Sequence, residues 1–415
     1  MQLLLYTSLK KQKPNKLKII NDPIYGFIQI TNPLVFDIIE QPYFQRLRRI
    51  TQMGFSNLVY PGANHTRFHH AIGCLYLMQK VVRVLRFKHV EISKEEENGL
   101  YLAILLHDIG HGAFSHALEH SIVDGITHEE ISLLFMKKLN EEFDGKLSLA
   151  ISIFEGKYHR NFMNQLISSQ LDIDRLDYLN RDSFYTGVTE GNIASDRLIT
   201  MMNVKNDALV IEQKGIYSVE KFLISRRLMY WQVYLHKTGL VAEHILMKIL
   251  KRAKELVQQG ESLVANSALF FFLENNINKK DFNTNTLHKF AQLDDFDVLA
   301  AIKEWQYHSD PVLSDLCEKI INRKLFRIEI FENPISKQKL EKKQNEFLKN
   351  YNIDKSHLEY FVFTGTATNQ AYNYSNPIHI LNKRGQLMDI TEASDQLNLK
   401  ALQQPVVKHF ICYPK

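Results

Sequence analysis

Nine of the chain's seventeen histidines fall between His65 and His128, a stretch of 64 residues in a chain of 415. Histidines elsewhere cap helices or satisfy buried carbonyls singly. At this density they point instead to a shared cation or phosphate site. A fold that honours the cluster must bring HTRFHH (65–70), HDIGHGAFSH (107–116) and THEE (127–130) to one place.

The rest of the chain is built to fold around such a site. Apolar residues make up 45% and charged residues 23%, which excludes disorder, collagen-like sequence and a fibrous coil. Lys plus Arg is 51 against 46 for Asp plus Glu, an excess of five. That suits an anionic partner such as a nucleotide and does not demand nucleic acid. Cys74, Cys317 and Cys412 form no CxxC pair, so a reducing, cytoplasmic setting is expected. Apolar runs such as Leu100–Leu106 and Ala268–Leu273 are too short to span a membrane, and no signal peptide is readable.

Alternating apolar residues around a Pro/Gly turn predict a β-hairpin over Leu17–Ile30. Helical periodicity then predicts helices at Pro33–Glu40, Pro42–Gln52, Thr66–Lys88, Ser93–His107, His128–Asn140, Lys146–Glu155, Asn161–Tyr185 and Ser195–Met202. A long, broken helical region follows over Val219–Gln259, and helical patterns run to about Asn322. LFRIEIF, YFVFTG, PIHILN and VVKHFICY then read as strands and Ser336–Asn350 as a charged helix. The expected organisation is a mostly α-helical body over 1–320, with an N-terminal hairpin, and a smaller α+β region over 321–415. The tract KKQKPNKLK reads as a solvated lead-in.

His70, His107, Asp108 and Asp174 carry the chemistry. An adjacent His-Asp pair points about 100° apart on a helix, so His107 and Asp108 reach one ion only from a helix end. Asp174 arrives from a third helix in LDIDRLDYLNRD. Two imidazoles and two carboxylates suit a divalent ion such as Mn, Fe, Co, Ni, Zn or Mg. Asp174, Tyr178, Arg181 and Tyr185 fall on one helical face, which puts Tyr178 and Arg181 in the same cleft, flanked by Arg175.

The strings INDPIYGFI, QPYFQRLRRITQMG, YPGANHTRFHHAIG, HDIGHGAFSH, THEE, DIDRLDYLNRD and YLHKTG, in this order, resemble the HD-domain deoxynucleoside triphosphate triphosphohydrolases. The resemblance runs from about Leu17 to Lys237 and is nearest to the catalytic core of the SAM-and-HD-domain enzymes. It implies an HD-type helical bundle and hydrolysis of a dNTP to deoxynucleoside and tripolyphosphate. It implies His70, His107, Asp108 and Asp174 as metal ligands, and His111, His116 and His128 for phosphate contact and proton transfer. Arg67, Arg175, Tyr178, Arg226 and Lys237 stand where the family contacts phosphate, Arg175 replacing a Lys of one relative. Gln52, Met53, Asp182 and Tyr234 stand where it holds the sugar.

The resemblance also implies a homo-dimer or homo-tetramer with a regulatory GTP or dNTP site, matched in part by Lys18, Asn21, Glu40, Gln45 and Arg48. The competing expectation there is that Arg46, Arg48 and Arg49 form a solvated helix face. Alternatives for the whole chain are an HD phosphohydrolase acting on a nucleoside monophosphate, cyclic dinucleotide or guanosine tetraphosphate, or a non-catalytic nucleotide or nucleic-acid binder. A filled ligand set argues against the last of these.

Overall fold

The computed structural model describes residues 18–114, 121, 123–351, 353–395 and 402–415. His116 and nearly all of the KKQKPNKLK tract lie outside the described residues.

Reciprocal caps start the helices that matter most. Glu96 N donates to Ser93 Oγ at 3.1 Å and Ser93 N to Glu96 Oε2 at 2.8 Å. Thr127 and Glu130 repeat the exchange. Each such cap satisfies two donors that a helix start otherwise leaves unpaired. The helices Lys94–Leu106 and His128–Glu142 therefore begin close to where the spacing predicts. His107 is the residue just after the first and His128 opens the second. Arg67–Phe87 is a 21-residue helix buried along most of its length. It packs against Lys94–Leu106 on one side and Ile173–Thr186 on the other.

Two helices differ from expectation for identifiable reasons, and a third region breaks as expected. The Pro42–Gln52 segment is an α-turn, Pro42–Gln45, followed by a 3₁₀ turn, Arg46–Arg49. Arg46 turns its side chain into the core there, and Thr51 leaves the helix to bridge Thr66. Asn161–Tyr185 splits into Asn161–Gln165 and Ile173–Thr186 because Asp172 caps the second helix, accepting from Ser169 N and Arg175 N at 2.8 Å each. The Val219–Gln259 region breaks, as its pattern suggests, into Ile216–Met229, a π-turn at Tyr230–Tyr234, and Lys237–Gln258.

A second hairpin, Met202–Lys205 with Ala208–Glu212, was not expected. Its turn residues Asn206 and Asp207 both take positive φ, 52° and 58°, as a two-residue hairpin turn requires. Strand His379–Leu381 pairs parallel with Ala208–Glu212 and antiparallel with Leu387–Asp389, so late chain completes a sheet begun in the body. Val406–Tyr413 is the central strand of another sheet, between Arg327–Phe331 and Phe363–Asn369. The YFVFTG reading is early by three residues: Tyr360 and Phe361 sit in a helical turn, Leu358–Phe361, and the strand begins at Phe363. The charged helix spans Lys337–Asn350. Among the described residues no helix is long and apolar enough to cross a membrane.

Candidate metal centre and active-site cleft

Three helices bring the four predicted ligands together. His70 Nε2 lies 3.1 Å from Asp174 Oδ1 and 3.7 Å from Asp108 Oδ2. His107 Nε2 lies 3.5 Å from Asp174 Oδ1 and 3.4 Å from Asp108 Oδ1. His107 Nδ1 faces the Ile104 carbonyl at 2.7 Å, so that nitrogen carries the proton and Nε2 is free to be a ligand. His70 Nδ1 is likewise taken, by Asp177 Oδ2 at 2.8 Å. His107 Nε2 is buried and has no hydrogen-bond partner among the described residues, although it faces two carboxylates. A divalent cation answers that orphaned nitrogen and the two carboxylates at once, so the residues fit the metal that the pattern implies.

The electrostatics agree. Burial opposes ionisation of Asp174, yet the neighbouring His107 and His70 imidazoles hold it far below the usual carboxylate range. Burial likewise opposes the charged His107 imidazole, and Asp108 and Asp174 nonetheless raise its pKa. The Cys74 thiol lies 3.6 Å from both ring nitrogens of His70. Burial pushes its pKa up, and with His70 and His107 it forms a group close enough to hold a metal ion.

The turn carrying His107 and Asp108 is clasped from two sides. Ser132 Oγ donates to His107 O at 2.8 Å and accepts from Gly110 N at 2.9 Å. A Cβ at Gly110 would lie 2.2 Å from His128 O and 2.3 Å from Ser132 N, so only glycine lets the His128 helix approach this closely. From the other side, Arg46 donates to Ile109 O at 3.2 Å, His111 O at 2.5 Å and Leu293 O at 3.1 Å. Arg46 is thus fully buried, which corrects the reading of it as part of a solvated face. Arg49, by contrast, is half-exposed and pairs with Asp294 at 2.5 Å.

A cleft of about 580 Å³ opens beside the cluster. Asp108, Asp174, Arg67, His111 and His128 line one part of it. Arg67 Nη1 donates to Asp108 Oδ2 at 2.5 Å. His111 and His128 stack with ring centroids 3.9 Å apart. Burial, and then the Arg67 charge, hold the His111 imidazole well below its ordinary value. Arg175 and Tyr178 line the same cleft, with Arg175 tied to the buried Asp172.

Gln52, Met53, Asp182 and Tyr234 line the remainder. Tyr234 OH donates to Asp182 Oδ2 at 2.7 Å, and His65 Nε2 meets Asp182 Oδ1 at 2.7 Å. His65, which sequence reasoning left without a role, therefore braces Asp182, and Tyr185 stacks on it at 4.3 Å. Its signal was its place in HTRFHH.

Some expected residues sit elsewhere. Arg226 is buried near Tyr178, outside the cleft lining, with Nε and Nη1 unpartnered among the described residues. Lys237 lines an adjoining cavity, across Leu235 and Leu240, with Trp231 and Lys408. Arg181 does not face the cleft: it is fully buried and pairs with Asp177 and Asp22. At the hairpin end, Gln45 accepts from Arg48 Nε at 2.9 Å and the Arg48 guanidinium lies 3.5 Å over Phe68. Lys18 lies 4.7 Å over Phe36, Asn21 pairs with Phe27 in the hairpin, and Glu40 lies near enough to Arg48 to offset its burial.

Fold and site together define an HD-type helical bundle with a side-chain cluster that could hold a divalent metal, and comparison with known proteins gives its family. The HD domain family model matches residues 67–182 and the HD associated region matches 193–268. The chain belongs to the HD-domain, dNTPase-like phosphohydrolase family. It is similar to the crystal structure of a phosphohydrolase from Bacteroides thetaiotaomicron, with a TM-score of 0.93 and 50% identity over 96% of this chain and 100% of that one. It is 32% identical over 401 residues to the uncharacterised YwfO of Bacillus subtilis, covering 92% of this chain and 89% of that protein. A Dictyostelium discoideum deoxynucleoside triphosphate triphosphohydrolase SAMHD1 homolog is 31% identical over 270 residues, 59% of this chain and 51% of the homolog.

Proposed function

We propose that the protein hydrolyses deoxynucleoside triphosphates at the α-phosphate, releasing the deoxynucleoside and tripolyphosphate. One observation carries the reading: the cluster's two carboxylates, Asp108 and Asp174, share a single cleft with two arginines and the Tyr234–Asp182 pair. Buried polar atoms without partners among the described residues, Gln52 Oε1 and Arg175 Nε at the cleft and Arg226 Nη1 behind it, support a polar ligand.

His70, His107, Asp108 and Asp174 would hold the divalent cation. When bound, such a cation stabilises charge on a phosphoryl oxygen and acidifies water. Arg67 and Arg175 neutralise phosphate oxygens and keep the chain of phosphates extended, with Tyr178 as a neutral donor, and Arg226 and Lys237 add positive charge from behind the cleft wall. His116, with His111 or His128 next in line, passes a proton to the departing 5′ oxygen, a role that suits an imidazole near neutral pH and that the lowered pKa of His111 disfavours for that residue. Tyr234 underlies the sugar and excludes a 2′-hydroxyl, Asp182 and Gln52 meet the 3′-hydroxyl, and Met53 packs beside them. The reading extends to a cytoplasmic homo-dimer or homo-tetramer that takes an activating GTP or dNTP at Lys18, Asn21, Glu40, Gln45 and Arg48. In that reading residues 321–415 serve as a lid or assembly element.

The test incubates the protein with each dNTP and its ribonucleotide counterpart, with several divalent metals, with and without GTP, and resolves the products by chromatography. Deoxynucleoside plus intact tripolyphosphate is expected. Pyrophosphate plus monophosphate, activity only on monophosphates or cyclic dinucleotides, or equal turnover of ribonucleotides would overturn the assignment.

A further inference from the structure

The His70 ring is gripped from both ends by one helix. Asp174 faces Nε2 at 3.1 Å, and Asp177, one turn further on, takes Nδ1 at 2.8 Å. Asp177 does not act alone. Arg181 donates Nε to Asp177 Oδ2 at 2.8 Å and Nη2 to Oδ1 at 3.0 Å. Its remaining nitrogen, Nη1, donates to Asp22 Oδ2 at 2.8 Å. Asp22 closes the N-terminal hairpin turn, its Oδ1 accepting from Ile24 N at 2.9 Å and Tyr25 N at 3.0 Å. Asp177 and Arg181 are fully buried and Asp22 is 3% exposed.

The fold makes room for this chain of charges. A Cβ at Gly73, three residues after His70, would lie 2.1 Å from Asp177 Oδ1 and 2.2 Å from Arg181 Nη2. The ion pair thus rests directly on the backbone of the helix that carries His70. Tyr25 from the hairpin turn covers it, with its ring 5.6 Å from the Arg181 guanidinium and stacked on Tyr76 at 4.9 Å.

We propose that Asp177, Arg181 and Asp22 form a buried relay that positions His70, so that the N-terminal hairpin is part of the support of the metal centre. The inference rests on the metal reading above. Asp177 keeps the proton on Nδ1 and fixes the ring plane, which leaves the Nε2 lone pair aimed between Asp108 and Asp174. Arg181 holds both oxygens of Asp177 in place, and Asp22 holds Arg181. Asp177 and Arg181 are therefore positioning residues, and a shift of the hairpin alters cation affinity without touching the cation.

The experiment measures Mn²⁺ binding to the full chain without substrate, by the electron paramagnetic resonance signal of free Mn²⁺. Asp177→Asn should weaken binding about 10–100-fold, the usual consequence of losing a ligand's outer hydrogen-bond partner. Asp22→Asn, isosteric and remote from the ion, should weaken it by at least about threefold, in line with a further step along the same relay. Glu96→Gln, which breaks an ion pair elsewhere, serves as the stability control and should leave Mn²⁺ affinity unchanged. If Asp177→Asn does not fold, Asp22→Asn decides the matter alone. Affinity of Asp22→Asn equal to wild type, with or without a lower melting temperature, would overturn the relay. Wild-type protein that binds no Mn²⁺ would instead overturn the metal reading itself.

Discussion

Replacing Arg46 by alanine should unsettle the turn that carries His107 and Asp108, and the size of the effect follows from its surroundings. Its guanidinium is fully buried and donates to three backbone carbonyls, those of Leu293, Ile109 and His111. It also lies 5.0 Å from the Phe290 ring and 5.9 Å from that of Phe135. Each buried carbonyl stripped of its donor costs about 1–3 kcal/mol. The lost contacts with the two rings add about 1 kcal/mol or more. Against these losses stands the removal of a desolvated charge, since burial pushes the Arg46 guanidinium down to about 9. Water entering the vacated space also re-satisfies part of the backbone. The net expectation is a loss of about 3–5 kcal/mol, a large fraction of the about 5–15 kcal/mol typical of folded domains. Arg46→Lys, which keeps a single compact donor, should lose roughly half as much. Urea titration followed by circular dichroism and by tryptophan fluorescence measures both, with coincident curves licensing a two-state free energy. A loss under about 1 kcal/mol for Arg46→Ala would mean that the three carbonyls are not held by this side chain, and the account of the turn would fail.

Three further outcomes follow. Tyr234→Phe removes the 2.7 Å bond to Asp182, and kcat/KM on a dNTP should fall about tenfold with little change in melting temperature, as steady-state kinetics would show. Burial opposes ionisation of Glu96, yet its bonds with Ser93, Arg160 and Tyr158 lower its pKa from 4.5. Its stabilising contribution is therefore complete above about pH 4.5 and is lost as pH falls through the lower folded value. Glu96→Gln should flatten that part of a stability-against-pH curve, and an unchanged acid slope would refute it. Mn²⁺ at 100 times its dissociation constant should raise unfolding free energy by about 2.7 kcal/mol, an effect that His107→Ala should remove in thermal melts.

The convergence of His70, His107, Asp108 and Asp174 was legible because histidine and aspartate at fixed offsets around two glycines have few other uses, and the caps at Ser93 and Thr127 announced the helices that place His107 and His128. The Asn206-Asp207 turn was just as readable, and the hairpin around it was missed because the flanking segments are short and lie between helical patterns. His65 and Arg46 were harder for a different reason. Each acts through partners distant in sequence, Asp182 in one case and the carbonyls of Ile109, His111 and Leu293 in the other. A run such as RLRR says that charge is present, and only packing says which arginine turns inward.

The helix Ile173–Thr186 shows where periodicity stops being informative. At about 100° per residue, Tyr178 and Asp182 lie roughly 40° and 80° to one side of Asp174, while Arg181 and Asp177 lie roughly 20° and 60° to the other. All five share one broad face, so grouping Arg181 with the cleft is a fair reading of spacing alone. The fold divides that face along Asp174. Tyr178 and Asp182 turn toward the cleft, and Asp177 and Arg181 turn toward the buried Gly73 backbone and the hairpin. What decides the division is Asp22, 159 positions away from Arg181 in sequence, which gives a buried guanidinium a second carboxylate to bond. Without that partner Arg181 would hold one carboxylate and leave a nitrogen unsatisfied in the core. With it, the same helix meets His70 Nε2 through Asp174 on one stripe and His70 Nδ1 through Asp177 on the next.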